Sequence, residues 1–96
     1  MLFKILFTPR AREELRSFRK NEQKRIVEAM ETRLLHEPIR ETRNRKRLRP
    51  NELAEWELRA GDLRVFYDTD ADTVKIIALG RKTGNRLLIN GKEFGL

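Results

Sequence analysis

Residues 56–67 read Trp-Glu-Leu-Arg-Ala-Gly-Asp-Leu-Arg-Val-Phe-Tyr. Two runs of alternating character flank Gly61-Asp62, a residue pair suited to a two-residue hairpin turn. Such a turn fixes the register. It pairs Ala60 with Leu63, Arg59 with Arg64, Leu58 with Val65, Glu57 with Phe66 and Trp56 with Tyr67. Side chains alternate across a strand, so Trp56, Leu58, Val65 and Tyr67 share one face and Glu57, Arg59, Arg64 and Phe66 the other. The first set is a core face. The second sets Arg59 directly opposite Arg64, a repulsive pair. Either an anion sits between the two guanidiniums, which bind phosphate in forked geometry, or Glu57 and Glu55 neutralise them.

The rest of the chain can be read around this hairpin. Leu2 to Phe7 is a short strand too apolar to be exposed on both faces. Thr8-Pro9 is a helix start, with Thr as N-cap and Pro at the first helical position. Ala11, Leu15 and Phe18 then form one apolar stripe. Asn21 caps a second helix that runs to about His36 through Ile26, Met30 and Leu34, and Pro38 stops it. The segment 40–50 reads as a loop or an irregular edge. Asp68 to Asp72 is a polar turn, Val74 to Leu79 a third strand, and Gly80 and Gly84 flank a basic turn at Arg81-Lys82. Leu87 to Ile89 adds a short strand. The order β-α-α-β-β-β predicts an α+β fold, an antiparallel-rich sheet with a two-helix hairpin packed on one face and the other face open. At 96 residues and 39% hydrophobic, the chain suits one domain with one modest core.

Charge points to a partner. Residues 1–50 hold 15 Lys/Arg against 7 Asp/Glu, whereas residues 51–96 hold 7 against 8. Six basic residues cluster at Arg40, Arg43, Arg45, Lys46, Arg47 and Arg49. Such clustering is the footprint of a polyanion or an acidic protein. With no cysteine and one histidine, His36, a zinc or thiolate site is not expected, nor any other cofactor. No signal peptide and no run near the ~20 apolar residues of a membrane span is seen, so a cytoplasmic protein is expected.

The stretch Trp56 to Tyr67, followed by the apolar strand Val74 to Leu79 and Gly80-Arg81, resembles the central signature of RelE/ParE-superfamily toxins. The opening Thr8, Pro9, Ala11, Glu14, Leu15 resembles it too, as do a second helix ending before Pro38 and a basic run leading to Leu48. The resemblance implies a RelE-like curved sheet whose concave face meets its target, and a cognate acidic antitoxin as partner. Members of the RelE branch cleave mRNA in the ribosomal A site without a metal. Members of the ParE branch poison DNA gyrase. Carried over, Arg64 and Arg81 match the arginines that contact the scissile phosphate. Two positions depart: the RelE-branch lysines fall at Glu55 and Glu57, and the C-terminal tyrosine at Leu87 or Leu88. In the mRNA-endonuclease reading, Arg64 and Arg81 stabilise the phosphate, Glu57 is the candidate base, and Arg43, Arg45, Lys46, Arg47, Arg49, Arg59 and Lys82 hold RNA. A gyrase inhibitor and a non-catalytic basic module acting with an antitoxin are the alternatives.

Overall fold

A computed structural model describes residues 2–95. The elements run β1 (Lys4–Phe7), α1 (Pro9–Ser17), α2 (Lys20–Arg33), β2 (Arg45–Arg47), β3 (Trp56–Ala60), β4 (Leu63–Asp70), β5 (Thr73–Thr83), β6 (Arg86–Ile89) and β7 (Lys92–Glu93). This is the expected RelE-like α+β fold, with both helices on one face of a single sheet. Among the described residues, no helix is long and apolar enough to cross a membrane.

The β3–β4 register is the one the two-residue turn dictates, from Trp56 opposite Tyr67 to Ala60 opposite Leu63. Gly61 takes the left-handed backbone the turn requires, with φ +63°. Under the helices lie Trp56, Leu58, Val65 and Tyr67 with Ile26, Met30 and Leu34. The Trp56 and Tyr67 rings stack, centroids 6.1 Å apart. The Tyr67 hydroxyl donates to Pro38 O at 2.6 Å and pins the chain leaving α2 to the core.

The long strand β5 organises everything else. One edge pairs antiparallel with β4. The other edge is shared: β1 runs parallel to residues 73–76 and β6 antiparallel to residues 81–83. α1 fills the gap between them. The Thr8 side chain accepts from Ala11 N as the N-cap and donates to Ile76 O at 2.9 Å. Glu14, almost fully buried, accepts from Leu79 N at 2.9 Å. Side chains thus replace the missing strand and satisfy β5 backbone that would otherwise be buried and unpaired.

That gap coincides with a bulge. Phe66 pairs with Ala78, but Tyr67 pairs with Ile76, so β5 carries one extra residue. Val74 and Ile76 face the helices before the bulge, and Leu79 and Arg81 face them after it.

Several expectations are corrected. The second helix is capped by Arg19, not Asn21, and ends at Arg33, because Leu34 already forms the cap. Arg81-Lys82 is not a turn. Both residues lie in β5, and the turn falls at Gly84-Asn85. Residues 45–47 of the basic segment form an edge strand on β3. The face away from the helices is not open. Leu53, Ala54, Phe66, Ala78, Leu87 and Ile89 build a second apolar cluster there, with Leu48 and Phe94 against it. The loop after β2 and the β6–β7 hairpin fold over this face. Gly80 permits the second crossing, since a Cβ there would lie 2.8 Å from Leu88 O.

Candidate functional site

What remains uncovered on that face is a basic groove of about 700 Å³. Lys46 and Arg47 of β2, Arg49 of the following loop, Arg59 of β3 and Lys82 of β5 line it, with Glu57, Glu93 and Phe94. Among the described residues, Lys46, Arg47, Arg49 and Lys82 make no ion pair with a carboxylate. Arg47 instead lies over the Trp56 ring, 5.6 Å from its centroid.

Glu57 lies at the inner end of the groove. Its Oε2 accepts from Arg59 Nε at 3.2 Å, and its Oε1 lies 3.6 Å from Arg64 Nε. The second contact is an ion pair too long for a hydrogen bond, and Arg64 Nε has no acceptor among the described residues. The Arg59–Arg64 repulsion read from the sequence is therefore relieved by a carboxylate placed between them. Glu55 takes no part, being turned toward Thr69 N.

Arg64 is a buried brace. Only 8% exposed, it donates through Nη1 to Gly61 O at 2.7 Å and Leu63 O at 2.9 Å, and so grips its own turn. Burial pushes its guanidinium below the ordinary value, against the pull of Glu57.

Arg81 is somewhere else. Its strand partner is Leu63, so it lies under the helices, on the opposite face from Arg64. Its Nη1 donates to Glu22 at 2.7 Å and Asp62 at 3.2 Å, and the guanidinium lies over the Phe18 ring. Arg64 and Arg81, matched to one phosphate by resemblance, are separated by the sheet. Arg45 also leaves the groove side: it pairs with Leu58, and its guanidinium donates to Arg33 O and Arg40 O, tying β2 to the end of α2. Arg43 is exposed and does not line the groove. Of the residues expected to bind or react, the structure thus brings together Glu57, Arg59, Arg64, Lys46, Arg49 and Lys82, while Arg47, paired with Trp56, borders the groove but turns its guanidinium onto that ring. Phe94 and Glu93 of the groove wall were missed, because a β7 of two residues has no readable periodicity.

The Arg81–Glu22 bond has a consequence for stability. Chiefly through this hydrogen bond, Arg81 holds the Glu22 carboxyl below its ordinary value. A carboxyl lowered on folding stabilises the fold fully above its unfolded pKa and loses that contribution as pH falls through the folded one. Glu22→Gln should therefore lower stability at neutral pH and narrow the difference from the parent in acid. Urea titrations at neutral and strongly acidic pH check this, and an equal loss at both would contradict it.

A comparison with curated proteins finds no significant match. A family model described as the ParE toxin of the type II toxin–antitoxin system parDE matches residues 5–85. Among solved structures, a chain of the RelBE2 toxin–antitoxin complex from Mycobacterium tuberculosis superposes with a TM-score of 0.73 at 26% identity. The match covers 85% of this chain and 100% of that one. Since the family model spans most of the chain, from β1 to the turn after β5, the chain belongs to the ParE toxin family of type II toxin–antitoxin systems.

Proposed function

We propose that this toxin inhibits its target by binding and does not cut RNA, with DNA gyrase as the target that resemblance to the ParE branch implies. The observation that carries the reading is the state of Glu57. It is the best candidate base on the groove face, yet its carboxylate is taken up between Arg59 and Arg64. In-line attack by a 2′-hydroxyl needs a base and donors aimed at one phosphate. Arg81, the second donor, points to the far side of the sheet. Kinship with a toxin–antitoxin complex supports a cognate antitoxin as partner, and the unpaired cations of the groove suit an acidic segment that folds on binding.

The groove itself favours a second reading, a ribosome-dependent, metal-independent mRNA endonuclease, because unpaired lysine and arginine also suit RNA. Pulse labelling after induction separates the two. In the first, DNA synthesis stops before protein synthesis, the SOS response is induced, and Glu57→Gln stays toxic. An early arrest of translation with A-site breaks in mRNA, abolished by Glu57→Gln, would establish the second and sink the first.

A further inference from the structure

Arg59 lines two cavities. Besides the groove, it borders a pocket of about 330 Å³ between α2 and the edge of β3. The strand ladder with β2 stops at Leu58, and beyond it Arg59 N donates to Asn44 O at 2.8 Å while Ala60 O accepts from Arg25, so no further strand covers the edge where the Arg59 side chain crosses it. Arg25, Glu28, Thr32 and Arg33 of α2 face it across the pocket, beside Asn44. Arg33 has no carboxylate partner among the described residues. Its Nη1 donates at 2.9 Å to the side-chain oxygen of Asn44, once that amide is oriented to accept. Arg25 is held by Ala60 O and Asp62. Arg59 donates to Glu57 only through Nε, and its two terminal nitrogens have no protein acceptor among the described residues.

The geometry points to one continuous anion track, in which a single-stranded nucleic acid leaves the groove, crosses the β3 edge over Arg59, and places a phosphate between Arg33 and Arg59. This goes beyond the proposed function and holds whether or not anything is cut. Three arguments select the ligand. The cations lining the track outnumber its carboxylates, Glu28, Glu57 and Glu93, and bound phosphates relieve the remaining repulsion. The track passes from one face of a sheet to the other. A duplex, with a persistence length of ~150 base pairs, cannot bend around a single strand edge, whereas a single strand can. Finally, the pocket offers only Ala29 and Ala60 as apolar surface, too little to anchor a peptide that must bury side chains to fold, while Phe94 in the groove gives a base a ring to stack on.

The test is fluorescence anisotropy of the purified toxin with labelled single-stranded RNA and DNA of roughly four and roughly twelve nucleotides, within the size range of single-strand sites. The matching duplex serves as competitor. The longer strand should bind more tightly than the shorter and than the duplex. Arg33→Gln should weaken only the longer strand and reduce its log K against log[salt] slope by about 0.7, one phosphate contact. Thr32→Glu, an exposed substitution that adds a carboxylate to the pocket, should do the same if Arg33→Gln unfolds. RNA and DNA binding equally would assign the track to the phosphodiester backbone, and a preference for RNA would add a contact to the 2′-hydroxyl. Equal binding of the duplex, or an equal loss for both strand lengths, would overturn the inference.

Discussion

Trp56→Ala should lower stability by about 3–5 kcal/mol, the cost of emptying a large aromatic site in a packed core. For a domain of this size, that corresponds to a fall in thermal midpoint of roughly 15–30 °C. The indole is 3% exposed, stacked on Tyr67 within the cluster under the helices. No neighbour is free to collapse into the void. Tyr67 is tethered through its hydroxyl to Pro38, and Arg47 on the outer side cannot enter an apolar cavity without losing water. Trp56→Phe should cost much less. It keeps most of the ring and removes an indole Nε1 that is buried without an acceptor. Thermal unfolding of the three proteins checks the order. The chain has one tryptophan, so its emission reports this site alone and should be blue-shifted in the folded protein. A loss below ~1 kcal/mol on truncation to alanine would mean that the ring is not packed as described.

The second large effect concerns Glu57 and Arg64, whose side chains are each 10% exposed. Glu57→Ala leaves the Arg64 guanidinium buried beside Arg59 with no carboxylate, and breaking a buried pair in this way typically costs about 3–5 kcal/mol. Arg59, far more exposed, loses little. Glu57→Ala in an Arg64→Met background should cost much less, since the stranded charge is gone. The double-mutant cycle then gives a coupling energy of roughly 2 kcal/mol or more in chemical denaturation. Additive losses would show that Glu57 does not compensate Arg64.

The β3–β4 hairpin was legible because a two-residue turn between alternating strands leaves one register. The helix start at Thr8-Pro9 was legible because capping is local chemistry. What escaped is long-range. The partner of β1 depends on which edge of β5 is free, and no residue in β1 encodes that. The β5 bulge escaped as well, and it decides the candidate site. Without the extra residue, the pairing that starts from Asp70 opposite Thr73 would continue in step and set Arg64 opposite Leu79. Arg81 would then lie on the same face of the sheet as Arg64 and Glu57. One inserted residue moves it to the other side of the sheet, where Glu22 and Asp62 receive it. The groups that hold the bulge, Thr8 and Glu14, sit more than sixty positions away in sequence.

The shared edge of β5 also sets a clock. β1 is synthesised well before its parallel partner, which places Lys4 beside Thr73. At ~5–20 residues per second, the first strand waits roughly 3–14 s on the ribosome for the strand it must join. α1 waits with it, since Glu14 has no backbone to cap until Leu79 has been made. The fold therefore cannot be assembled in the order of translation. A nascent chain carries an apolar segment and a buried-to-be carboxylate without partners, and the groove appears only after β5 and the β6–β7 hairpin have been made.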